Sequence, residues 1–212
     1  PMMLTDFRQK RANSAARQAT LEGNRGSLLK AIRKGADLNQ PLEPSGAEPA
    51  RTLIIHALIN ENSECLQLLL ESGANVPVSE NGAAEALRLA IGSDAKSLSL
   101  LTLLLQNGVD ANASNGAAFF ECLQRQDDNL KLLLLTRLIE YRGAINCRDE
   151  NQLSPLDHLL IAEKTELVGA LVSAGAILPE RLDELHCSDQ IKAFARRKQQ
   201  DLATQRLLLG LT

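Results

Sequence analysis

The segment LLLESGANV, residues 68–76, carries the reading of the whole chain. Just ahead of and within it, Cys65, Leu66, Leu69 and Leu70 fall at the i, i+1, i+4, i+5 spacing that makes one apolar stripe on a helix. Gly73 follows that stripe, where a helix ends in a left-handed conformation that glycine adopts at least cost. The same phrase, a Leu-rich run closed by Gly and a small or apolar residue, recurs as AIRKGADLN (31–39), LLLQNGVDAN (103–112), LIEYRGAIN (138–146) and LVSAGAILP (171–179). The five glycines, Gly35, Gly73, Gly108, Gly143 and Gly175, are spaced by 38, 35, 35 and 32 residues.

A second apolar segment precedes each phrase: AARQATLEG (15–23), TLIIHALINEN (52–62), ALRLAIGSD (86–94), AFFECLQRQ (118–126) and SPLDHLLIAE (154–163). In the last of these Ser154 caps a helix and Pro155 fills its first turn. Each unit therefore reads as helix, short turn, helix and Gly-terminated loop. A lone pair of helices cannot bury its apolar face, so such units must stack. Composition agrees: of 212 residues 41 are Leu and 27 Ala, with four Phe, one Tyr and no Trp. That mixture favours helix and excludes a β-sandwich or β-barrel, which draw on β-branched and aromatic side chains.

These segments resemble the ankyrin repeat. The family's TPLHxA signature is matched best by SPLDHL (154–159), then by TLIIHA (52–57) and more weakly by EALRLA (85–90). Its closing LLLxxGAxxN is matched at 68–75, running into Val76-Pro77, and at 103–112, where Val109-Asp110 follow the Gly. The resemblance spans roughly residues 14–178 and implies an all-α ankyrin-repeat solenoid of about five helix-turn-helix repeats with helical caps. The expected boundaries are 1–13 for an N-terminal extension or cap, then 14–40, 41–78, 79–113, 114–148 and 149–178 for the repeats. Residues 179–212 form a C-terminal cap, with Ile191, Phe194 and Ala195 turned inward. The chain departs from the family pattern in three places. Pro survives only in repeat five, with Phe119 standing in repeat four. Repeats three and four carry about two and four extra residues between their helices. PLEPSGAEPA (41–50) is a Pro/Gly-rich insertion where the family has a β-hairpin finger.

The net charge of −3 hides an asymmetry: residues 1–40 carry +5, residues 189–212 carry +3 and the intervening body −11. An acidic body cannot gather the clustered Lys and Arg that phosphate backbones require, so nucleic acid is excluded as its ligand. The longest apolar runs, LTLLL and LLLL, fall far short of the ~20 residues that span a bilayer. No charged-then-apolar leader opens the chain, and Pro1 ahead of Met2-Met3 reads as a cloning remnant on a short, nearly complete product. The expected setting is the cytoplasm, or a host cell reached without a cleaved signal peptide, with the protein a monomer. Cys65, Cys122, Cys147 and Cys187 form no CxxC pair and read as reduced, partly buried thiols.

Chemistry-bearing motifs are few. His56, His158 and His186 are too scattered for a metal cluster, and neighbours His186-Cys187 diverge by roughly 100° on a helix. His56 and His158 hold equivalent positions in repeats two and five, where the family packs or hydrogen-bonds this residue. No phosphate-cradling Gly loop or nucleophile elbow is present. The acidic pairs Asp127-Asp128 and Asp149-Glu150 read as solvated turns without a partner base nearby in sequence. The chain is expected to be no enzyme, with no cofactor and no metal.

What the resemblance implies instead is protein binding through the concave face built from loop tips and first helices. Carried over by repeat position, the partner-binding candidates are Arg51, Ile59 and Asn60, then Gly92 and Ser93, Arg125 and Gln126, and finally Glu150, Asn151, Leu153 and Ile161. Phe119, Phe120 and Tyr141 are the aromatic candidates, with at least one Phe in the core. The 41–50 insertion is a competing recognition element. The expected function is a non-catalytic module that captures a partner protein, similar to bacterial effectors. An inhibitor or immunity protein masking an enzyme is the alternative, as is a scaffold or transcription cofactor.

Overall fold

The computed structural model describes residues 2–39 and 52–210, with side chains from Phe7 onward. The 41–50 insertion and Arg51 lie outside the described residues. With 66% helix and no strand among the described residues, the molecule is all-α. It divides into two compact units, Pro1–Asp110 and Ala111–Thr212.

The first unit holds α1 (Met2–Leu21), α2 (Arg25–Arg33), α3 (Leu53–Ile59), α4 (Ser63–Glu71), α5 (Glu80–Gly92) and α6 (Ser97–Gln106). These pair as helical hairpins, α1 with α2, α3 with α4 and α5 with α6. The hairpins stack in phase: α1 packs on α3 and α3 on α5, while α2 packs on α4 and α4 on α6. Leu66, Leu69, Leu87, Leu100 and Leu104 are fully buried between these layers. The N-terminal segment is one continuous helix, and Ala12, Ala16 and Ala19 on its buried stripe make it the first member of hairpin one.

The second unit holds α7 (Ala113–Leu123), α8 (Asp128–Glu140), α9 (Pro155–Ile161), α10 (Thr165–Ser173), a 3₁₀ turn (Leu182–Glu184) and α11 (Asp189–Leu208). Here α7 packs on α8 and α9, α10 packs on α8 and α9, and α11 closes the stack against α10. Ile191 and Ala195 are buried there as expected, and Phe194 is half-buried with its ring over Gly169.

Two rows of side-chain-to-backbone hydrogen bonds tie hairpin to hairpin. At the closing loops, Asn39 Oδ1 accepts from the Asn75 N–H at 2.7 Å. Asn112 Oδ1 accepts from Ala144 at 2.6 Å, and Asn146 Oδ1 from Ile177 at 2.9 Å. At the opposite edge, Asn62 Nδ2 donates to Thr20 O, Glu61 Oε1 accepts from Asp94 N, and Glu163 accepts from the Ser188 N–H and hydroxyl. Each satisfies backbone groups that a helix end leaves without an internal partner.

Gly35, Gly73, Gly108 and Gly175 follow their helices at positive φ, +84° to +103°. The fourth phrase differs. Arg142 takes the left-handed conformation (φ 63°), one residue before Gly143. Gly143 is needed for space, since a Cβ there would lie 2.8 Å from both Leu138 O and the Phe119 ring.

Candidate functional site

The second unit carries an open cleft of about 710 Å³. Ser114, Asn115, Ala117, Phe120 and Glu121 of α7 form one wall; Asn146 to Glu150 and Gln152 of the loop before α9 form the other. Cleft volumes of this size are typical of ligand-binding pockets.

The α7 wall begins with three consecutive left-handed residues, Ser114 (φ 51°, ψ 50°), Asn115 (φ 56°, ψ 40°) and Gly116 (φ 75°, ψ 26°). A left-handed L-residue costs roughly 1–2 kcal/mol, so neighbours must hold the turn in place. Asn115 Nδ2 donates to Arg148 O at 2.9 Å, and the Gly116 N–H donates to Asn112 O at 3.0 Å. Gly116 is pressed against Cys147, whose Sγ would sit 2.7 Å from a Cβ at that position.

The facing loop is organised by Asp149. Its Oδ1 accepts the N–H groups of Asn151 and Leu153, both at 2.9 Å, and its Oδ2 meets His158 Nε2 at 2.7 Å. Burial raises the Asp149 carboxyl, but the Leu153 N–H, His158 and the Asn151 N–H outweigh it and hold the group below its ordinary value. The His158 ring meets Phe120 edge-on, centroids 5.7 Å apart at 75°, a favoured aromatic geometry. Below the loop, α9 opens with a full capping box: Ser154 Oγ accepts from Asp157 N at 3.2 Å and Asp157 Oδ2 from Ser154 N at 2.8 Å.

The acidic pairs are not the bare solvated turns expected from sequence. Asp127 caps α8 through the N–H groups of Asn129 and Leu130. Asp128 bonds Lys164 at 2.7 Å and Lys131 at 3.0 Å, and these two cations pull its carboxyl down. Asp149 finds its partner nine residues on, in His158. Glu150 alone of the four is exposed without a partner among the described residues.

The cleft thiol is unreactive: burial pushes Cys147 up to about 11, and its Sγ faces Gly116 O at 3.8 Å. Burial likewise raises Cys65, Cys122 and Cys187, so all four thiols stay protonated at neutral pH. Among the described residues no three His, Cys, Asp or Glu side chains converge to hold a metal ion. No helix of the described residues is long and apolar enough to cross a membrane.

The partner-binding candidates distribute unevenly. In the first unit Ile59 (39% exposed) and Asn60 close α3, and Asn60 Nδ2 donates back to His56 O. Ser93 does not reach the surface. It is 3% exposed, its Oγ accepts from Lys96 N at 3.0 Å, and it hydrogen-bonds the Glu61 carboxylate. The extra residues between α5 and α6 fold back to make that turn, while Gly92 beside it is exposed. In the second unit Glu150, Asn151 and Leu153 share the loop at one end of the α7/α9 face. Arg125, Gln126 and Ile161 (40% exposed) lie past the other ends of those helices. Of these, Glu150 lines the cleft, together with Phe120; Phe119 is wholly buried. The sequence reading missed Asn115, Asp149 and His158 as the groups that shape the cleft. The one available signal was Asp149 and His158 flanking the N-cap Ser154.

No protein-family model matches the chain, and no curated protein matches it significantly.

Proposed function

We propose that this chain is a non-catalytic, ankyrin-type protein-binding module, effector-like in form, that engages a partner through its first helices and loop tips. The observation that supports this reading is the phased stacking of helical hairpins at a period of about 35 residues, with the family-like phrases at equivalent places in each. That arrangement spends the second helices and their Leu runs on the core. It leaves the ends of the first helices and the loops before them to solvent, where side chains can vary without touching packing. Ile161 and Leu153 are apolar groups at such positions, and apolar groups set in a polar rim mark contact surfaces.

The test is affinity capture from bacterial and eukaryotic lysates with the native chain and with a Leu153→Asp/Ile161→Asp variant. Surface changes of this kind cost about 0.5 kcal/mol or less each, so the variant should melt close to the native chain while losing the captured protein. A partner from the eukaryotic lysate alone supports the effector form. A partner held equally by both chains refutes the first-helix and loop assignment.

A further inference from the structure

The cleft carries four charged side chains, and hydrogen bonding singles out two of them. Arg148 Nη1 donates to Gln152 O at 2.7 Å and stands 3.9 Å from the buried Asp157, so the one cation on the wall is already engaged. Asp149 is taken by His158 and the two backbone N–H groups of its own loop. Glu121 on α7 and Glu150 on the facing loop make no hydrogen bond or ion pair among the described residues, and they stand on opposite walls. Between them α7 presents Phe120, half-buried, its ring set by the edge-on His158. In a chain with four Phe and one Tyr, an aromatic ring on the wall of a cleft is an observation independent of the carboxylates. Both point to the same ligand chemistry, since carboxylates and a ring face each attract a cation.

We infer that this cleft receives an arginine side chain from an extended segment of the partner protein. A guanidinium fits better than an ammonium because it is planar, pairs with carboxylates through two parallel N–H groups and stacks on aromatic rings. The body's charge of −11 over residues 41–188 draws a basic segment toward the cleft and repels acidic competitors. The proposal rests on the protein-binding reading and adds the chemistry of what one part of the surface selects.

The probe is a fluorescein-labelled Gly-Arg-Gly-Arg-Gly peptide titrated into the full chain by fluorescence anisotropy, beside its Lys and Glu counterparts. The expected order is Arg, then Lys, with no binding of the Glu peptide, and affinity should fall as salt rises. Glu121→Gln/Glu150→Gln should weaken the Arg peptide about tenfold, and Phe120→Leu should narrow the gap between Arg and Lys. Glu166→Gln/Glu180→Gln changes net charge equally at exposed positions away from the cleft and should leave binding unchanged. Equal weakening by the two double variants, equal binding of the Glu peptide, or no Arg-peptide binding at millimolar concentration overturns the proposal. A captured partner lost with Leu153→Asp/Ile161→Asp but kept by Glu121→Gln/Glu150→Gln leaves the module reading standing and removes the arginine site.

Discussion

Hairpins α7–α8 and α9–α10 pack side by side in the same unit, yet their first helices are started in opposite ways. Helix α9 is set by its own sequence: Ser154, Pro155 and Asp157 supply an N-cap, a fixed first φ and a reciprocal hydrogen bond within four residues. Helix α7 has no side-chain cap. It enters through a left-handed turn that depends on Asn115 bonding Arg148 O and on Cys147 packing under Gly116. One start is local, and the other is imposed by the loop of the next hairpin. The cleft lies between them because a left-handed turn cannot continue the close helix contact that α7 and α9 make further along.

The largest expected effect breaks the imposed start. In Gly116→Ala the new Cβ demands a left-handed alanine and meets the Cys147 side chain at 2.7–2.9 Å. Backbone strain and overpacking together should cost roughly 2–5 kcal/mol, read as a fall in the urea midpoint with cleft signals lost first. A change below ~0.5 kcal/mol would mean that α7 can begin as an ordinary right-handed helix.

The matching change in the local start is Ser154→Ala. It removes the hydroxyl that accepts the Asp157 N–H, and should cost about 1–2 kcal/mol, the usual value of an N-cap. If the two substitutions cost the same, the distinction between local and imposed starts fails. A double variant would then sharpen the point: α7 and α9 touch, so independent starts predict additive losses and a coupled pair predicts a shortfall.

The same contrast explains what was legible beforehand. The SPLDH start of α9, the Leu stripe of α4 and the closing glycines could be read because each is a local rule acting within a few residues. Four of the five glycines take the left-handed place expected of them. Gly143 does not, because what fixes it is the Phe119 ring arriving from α7, and no local pattern announces a ring from another helix. Ser93 read as a loop tip for the same reason: its burial depends on Glu61, thirty-two residues earlier and one hairpin away. The cleft was legible only at its rim, through Glu150 and Phe120. Its shape comes from Asn115, Asp149 and His158, whose partnerships are made across the fold.

The smallest expected effect concerns pH and tests the loop that both starts share. The Asp149 carboxyl is raised by burial and lowered more strongly by the Leu153 N–H, His158 and the Asn151 N–H, for a net fall. The folded chain thus binds that proton less readily than the unfolded one. The resulting stabilisation is fully present above the unfolded carboxylate value, about 3.9, and is lost as pH falls through the lower folded value. Asp149→Asn keeps the shape and removes the charge, so native and variant chains should differ by a constant amount from about pH 7 down to pH 5 and converge below about pH 4. The direct readout is the amide resonances of Asn151 and Leu153, which should move together through that acid transition in the native chain and stay still in the variant. Because Asn115 holds α7 to Arg148 in this same loop, the Gly116 amide should follow them. If Asn151 and Leu153 move while Gly116 does not, the start of α7 is fixed by something other than the loop, and the contrast between the two hairpins has to be redrawn around Asn112 and Cys147.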